Sequence, residues 1–159
     1  MDNSFTVKQI GVICADDNGF RLELAPLYKE ALNGLEGFSY INILWWFSGC
    51  DNEADRSVLS ESKPYTKGPA ILGAFATRSP QRPNPIALSC AYVTYIDADN
   101  GVVGLAYIDA DDQSPVLDIK PYTPSLDRVE APEVPAWCKH WPNNVETSGD
   151  FDWESEFNF

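Results

Sequence analysis

Two arginines and an asparagine, Arg78, Arg82 and Asn84, stand among three prolines in the stretch Phe75-Ala76-Thr77-Arg78-Ser79-Pro80-Gln81-Arg82-Pro83-Asn84-Pro85-Ile86-Ala87-Leu88-Ser89. Proline fixes φ and removes a backbone donor, so this connection is stiff. A stiff loop leaves its two guanidinium groups little entropy to lose on binding, and such forks suit a carboxylate, a phosphate or a flat base. The same composition also describes a surface turn whose arginines are solvated. Two other segments carry polar groups at the ends of apolar runs. Val116-Leu117-Asp118-Ile119-Lys120-Pro121-Tyr122 reads as a strand ending in Asp118, Lys120 and Tyr122. Gly34-Leu35-Glu36-Gly37-Phe38-Ser39-Tyr40-Ile41 leads into an apolar run.

The elements that must position these residues are mostly strands. Residues 6–14 read as a strand by β-branched content, and Asp16-Asp17-Asn18-Gly19 as the turn into a second at 20–24. Pro26 opens a helical pattern over 27–35 that Asn33-Gly34 stops. Tyr-Ile-Asn-Ile-Leu-Trp-Trp-Phe at 40–47 predicts a buried central strand. Trp45 and Trp46 then point to opposite faces; either both are core, or one is a ligand wall or subunit contact. A short helix is expected over 53–59, a strand over 70–75 running into the proline loop, and another over 88–96 leaving it. Asn100-Gly101 is a hairpin tip between that strand and one at 102–108. About seven strands and one or two short helices predict a mainly β fold, a small closed or nearly closed barrel.

At 159 residues with 44% hydrophobic and 13% aromatic content, the chain fits one globular domain over 1–159, with its core at about 6–122 and an extension at 123–159. Prolines break the extension, and Phe151, Trp153, Phe157 and Phe159 alternate with acids near its end, either docked or frayed. No apolar run reaches spanning length and no secretory leader is read, so the expected location is the cytoplasm, with no membrane contact. Cys14, Cys50, Cys90 and Cys138 lack metal or redox spacing and are expected as reduced, mostly buried thiols. His140 has no clustered partner, so no metal is expected. The net charge of −13 argues against long-range attraction to a nucleic acid. Arg78, Arg82 and Lys120 could still form a local basic patch.

The three blocks, in this order, closely resemble the TsaA-like family, whose characterised members are TrmO-type S-adenosylmethionine-dependent methyltransferases. These methylate N6 of the threonylcarbamoyl-adenosine beside the tRNA anticodon. The resemblance covers about residues 6–122 and implies a β-barrel, S-adenosylmethionine as cofactor, tRNA as partner and a homodimer with the cofactor near the subunit interface. Carried onto matching positions, it implies cofactor contacts at Phe47, Ser48, Gly49 and Cys50, at Arg78 and Leu88, and at Ala106, Tyr107, Ile108 and Asp109. Arg82 and Asn84 are implied on the substrate side. Asp118, Lys120 and Tyr122 are implied near the acceptor, with Asp118 the better general base, since the attacking nitrogen must lose a proton. An ion-paired or turn-stabilising Asp118 is the alternative. Methyl transfer from a sulfonium is an in-line displacement that needs alignment and exclusion of solvent, not a metal.

The chain departs from the family pattern in four places. Ala87 replaces a glycine, and Tyr40 a histidine. Asp16-Asp17-Asn18-Gly19 stands in place of a basic, proline-rich loop, and the further C-terminal domain of longer members is not expected. A methyltransferase with a small-molecule acceptor and a non-catalytic ligand-binding module are the alternative functions.

Overall fold

In the computed structural model, which describes residues 3–158, the strands are β1 (Gly11–Asp16), β2 (Gly19–Leu24), β3 (Tyr40–Trp46), β4 (Ser60–Ser62), β5 (Ile71–Gly73), β6 (Ile86–Asp97), β7 (Val102–Leu105) and β8 (Pro115–Pro121). Six of them close a barrel in the order β1-β2-β7-β6-β3-β8, and β4 pairs with β5 alone. Neighbours in the barrel are antiparallel. The expected β-barrel is therefore present. The helices α1 (Glu53–Arg56), α2 (Pro124–Asp127) and α3 (Val145–Ser148) are single turns.

The barrel follows from period-two alternation. On β3, Ile41, Ile43 and Trp45 are buried, whereas Tyr40, Asn42, Leu44 and Trp46 are only half-buried. The two tryptophans thus face opposite ways. Ile13, Leu22, Ile41, Ile43, Val103 and Val116 are fully buried and meet in one core. Each contributes roughly 1.5–3 kcal/mol relative to exposure. The indole N–H of Trp45 donates to Ser89 Oγ at 2.9 Å, so the core leaves this donor satisfied.

Two tight turns set the register. In β1–β2 the Asn18 amide donates to Asp16 Oδ1 at 2.8 Å, and Gly19 takes φ +98°. In β6–β7 the Asp97 carboxylate accepts from the Asn100 side chain at 2.7 Å and its amide at 3.2 Å. Those bonds hold the Asp97 carboxyl below its usual range.

The chain forms two compact units. One comprises residues up to Gly49 together with Pro85–Asp127 and contains the barrel; the other comprises Cys50–Asn84 and the residues from Arg128 onward. The second is built around aromatic rings. Tyr65 stacks on Trp137 at 5.1 Å, and Trp141 meets both edge-on at 5.2 and 5.3 Å. Trp153 packs against Trp141, Phe151 and Phe157. The buried Glu156 carboxylate accepts from Trp141 Nε1 at 3.0 Å and lies 2.6 Å from His140 Nε2.

Several expectations are corrected. The strand expected over 70–75 is only β5, followed by a 3-10 turn at Ala74–Ala76. Ile71 and Phe75 are 67% and 83% exposed, so this apolar run does not line a core. The first strand starts at Gly11, with Phe5 and Val7 exposed before it. The helix expected over 27–35 is a 3-10 helix at Pro26–Leu32 in which only Leu32 is buried. The tail aromatics Phe151, Trp153 and Phe157 pack within the second unit. Phe159 lies outside the described residues.

Candidate functional site

The barrel gathers part of the predicted set on one outer face. Leu44 lies opposite Leu88 on β6 and Asp118 on β8; Asn42 lies opposite Cys90 and Lys120. Cross-strand partners share a face. Because Ile41, Ile43 and Trp45 point inward, these rows point outward. Tyr40 extends the face: its ring meets Tyr92 at 5.4 Å and Tyr122 at 6.4 Å. Leu88 and Tyr92 are 50% and 47% exposed. Leu88, Asp118, Lys120 and Tyr122 are therefore neighbours on one sheet surface, although β6 and β8 are distant in sequence.

The chemistry of that surface is polarised. Lys120 Nζ lies 2.8 Å from Asp118 Oδ2, with both side chains about half exposed (63% and 49%). The hydrogen bond to Asp118 raises the Lys120 ammonium above its usual range. Asp118 is thus ion-paired, on the same face as the Tyr40, Tyr92 and Tyr122 rings but four residues along β3 from them. Asn42 donates to Asp127 Oδ1 at 3.0 Å, which ties α2 to the same face.

Phe47 packs its ring on Trp45 at 4.7 Å, and its amide donates to the Pro85 carbonyl at 2.8 Å. Ser48, Gly49 and Cys50 form a 3-10 turn directly after it. Burial raises the Cys50 thiol, so it stays protonated near neutrality. In the 106–109 segment, the Ala106 amide donates to the Tyr92 carbonyl at 3.0 Å, and Tyr107 meets Phe20 edge-on at 5.3 Å. Ile108 is a core residue, so only its backbone is available to a ligand.

The proline loop belongs to the second unit and is pinned by more than proline. Arg82 Nη1 donates to the carbonyls of Thr77 and Ser79, both at 3.2 Å. Arg56 on α1 donates through Nε to the Pro83 carbonyl at 3.0 Å and through Nη2 to Asn84 Oδ1 at 3.3 Å, while Nη1 meets Asp51 at 2.9 Å. Asp55 accepts from Gln81 Nε2 at 2.6 Å. Arg82 and Asn84, expected on the substrate side, therefore hold the loop's own shape. Arg78 is exposed, and its backbone amide donates to the hydroxyl of Tyr65. Sequence reasoning missed both Arg56 and Tyr65. Neither carries a local signal, because their partners in the loop lie more than ten residues along the chain. The local basic patch is also weaker than expected: Lys120 is offset by Asp118, and Arg82 turns a donor inward.

The β1–β2 turn carries no basic loop. Its cation, Arg21, is paired with Asp16 at 3.0 Å and Glu23 at 2.7 Å.

With this geometry in place, known proteins supply the context. The sequence model of the tRNA-methyltransferase O N-terminal domain matches residues 9–128. The chain belongs to that family. A relative from Methanocaldococcus jannaschii, named "Probable S-adenosyl-L-methionine-binding protein", is 33% identical over 123 residues, which are 77% of this chain and 96% of that protein. The tRNA (adenine(37)-N6)-methyltransferase of Escherichia coli is 34% identical over 141 residues, 77% of this chain and 59% of that enzyme. A crystal structure of TrmO from Pseudomonas aeruginosa superposes with a TM-score of 0.62 at 30% identity, over 82% of this chain and 62% of the other. The chain thus spans nearly all of the archaeal relative and about three fifths of the two bacterial ones. The family match contains every residue assigned above to cofactor or acceptor, and ends before the aromatic extension.

Proposed function

We propose that the chain is an S-adenosylmethionine-dependent methyltransferase that methylates N6 of a modified adenosine in tRNA. The observation that carries this reading is the family match over 9–128, which includes the arginine loop and the Asp118 face together. The names of the archaeal and Escherichia coli relatives support the cofactor and the acceptor respectively. Arg78, on a loop held rigid, suits the carboxylate end of the cofactor. Leu88 and the 106–109 segment suit its apolar and hydrogen-bonding parts. Asp118 takes the proton that the attacking nitrogen loses, once Lys120 yields its hold.

A net charge of −13 calls for local recognition of the acceptor. Repulsion between exposed charges is screened over about 8 Å at physiological salt. Tyr40, Tyr92 and Tyr122, on the same face as Asp118, offer rings on which an unpaired base can stack without net positive charge. The same charge favours a second reading, a small-molecule acceptor. The place of action is the cytoplasm; among the described residues no helix is long and apolar enough to cross a membrane. The protein acts as a homodimer. The tail aromatics Phe151, Trp153 and Phe157 are engaged within their own unit, so the outward Trp46, opposite Ile86, is the better interface group. Light scattering at micromolar concentration should give a dimer; a clean monomer refutes it.

The test of function has two parts. S-adenosylmethionine at millimolar concentration should raise the melting temperature, because a ligand selective for the native state stabilises it. Labelled cofactor should then transfer its methyl group to tRNA from a strain lacking this protein. An unmoved melt removes the enzyme reading in favour of a binding module. A shifted melt without transfer to tRNA removes the tRNA acceptor.

A further inference from the structure

The family match ends at residue 128, yet the chain beyond it is tied to a short stretch inside the match, centred on Tyr65. Tyr65 is 7% exposed. Trp137 stacks on it, Trp141 meets it edge-on, and Phe157 lies 5.8 Å away. Backbone contacts fix the same place: Tyr65 forms an isolated antiparallel bridge with Phe157. The Thr66 amide donates to the Glu156 carbonyl at 2.8 Å, and the Asn158 side chain donates to the Lys63 carbonyl at 2.8 Å. Gly68 completes the fit, since a Cβ there would stand 3.2 Å from that of Tyr65.

A phenol enclosed by rings still needs a polar partner, and its hydroxyl accepts the backbone N–H of Arg78. Thirteen positions of chain, including β5, separate the two residues, so this bond joins the aromatic cage to the root of the arginine loop. On its other side the loop is held by Arg56. We propose that Tyr65, caged by the aromatic segment beyond the family domain, is a positioning residue for Arg78. It fixes the backbone from which the guanidinium reaches the cofactor carboxylate. The aromatic segment is then part of the binding apparatus, acting through Tyr65. This inference rests on the assignment of Arg78 to the cofactor.

Tyr65→Phe keeps the ring in its cage and deletes only the hydroxyl. The expected result is a Kd for S-adenosylmethionine raised about five- to tenfold, with kcat at saturating cofactor near that of the parent and little change in melting temperature. In an Arg78→Ala background, Tyr65→Phe should have no further effect on Kd, because the two act as one unit. Hydrogen exchange at the Arg78 amide gives a readout without ligand: it should be slow in the parent and fast in Tyr65→Phe. An unchanged Kd in Tyr65→Phe, where Arg78→Ala weakens binding, overturns the positioning role alone. An unchanged Kd in Arg78→Ala overturns the cofactor assignment and this inference with it. Equal amide exchange in parent and variant also overturns the inference, as does a lower melting temperature with an unchanged Kd.

Discussion

Replacing Arg56 with lysine separates two explanations for the rigidity of the arginine loop. Proline alone would hold the loop in either protein. The structure instead places one guanidinium on three acceptors: the Pro83 carbonyl, the Asn84 side chain and Asp51. Lysine has no fork, so Arg56→Lys keeps at best the Asp51 pair. That pair is 40% exposed on both sides and contributes about 0–1 kcal/mol. Hydrogen bonds from a charged donor contribute roughly 1.5–3 kcal/mol each when desolvated. Halving this for the exposure of Arg56, two lost bonds amount to about 2 kcal/mol of loop order. If the cofactor binds only the ordered loop, its affinity should fall by up to about thirtyfold. Calorimetric titration of the parent, Arg56→Lys and Arg56→Ala measures this, with hydrogen exchange over 79–84 as the structural control. Nearly equal losses in the two variants are expected. Parent-like affinity and exchange in Arg56→Lys would refute the reasoning and leave rigidity to the prolines.

Three further outcomes are expected. Asp118→Asn should slow methyl transfer by roughly 10²–10⁴-fold while leaving the cofactor Kd unchanged; parent-like turnover returns Asp118 to a structural ion pair. Ile43→Ala, at a fully buried position, should cost about 2–5 kcal/mol in denaturant unfolding. Hydrogen bonds from Trp141, then His140, hold the Glu156 carboxyl below its ordinary range. Its stabilising contribution is therefore present above the unfolded value of about 4.3 and is lost as pH falls through the lower folded value. Tryptophan fluorescence should report an acid transition below about pH 4, and Glu156→Gln should abolish its pH dependence.

The barrel was legible where burial and alternation coincide. On β3 every second residue is core, and the sequence pattern matches the strand within one residue. Legibility failed where apolar residues are not buried. Residues 70–75 look like the strand beside them, but Ile71 and Phe75 face outward and β5 pairs only with β4. Asp118, Lys120 and Tyr122 were recognisable as a group, because period two puts them on one face. Their nearness to Leu88 was not, since it depends on β3 lying between β6 and β8. Nor could composition reveal which groups the loop would use on itself. Arg82 and Asn84 have the chemistry of ligand contacts, yet their partners here are Thr77, Ser79 and Arg56. The tail read as aromatics without an address; the address is Tyr65, far earlier in the chain.

β3 and β6 are hydrogen-bonded neighbours up to the pair Trp46–Ile86, and the Phe47 amide to the Pro85 carbonyl closes the ladder. Topologically this is a hairpin whose turn has been replaced by Cys50–Asn84, half of a second compact unit. Both ends of the insert are already clamped by the barrel, and closure entropy grows only slowly with loop length. Such a hairpin can host inserts of very different size with little penalty to the host. The barrel can thereby stay unchanged while the arginine-bearing insert is exchanged or lengthened. The partner strand of the insert, however, comes from the far end of the chain. Any graft of this loop into another barrel must bring residues 136–158 with it, or transplant an arginine without its anchor.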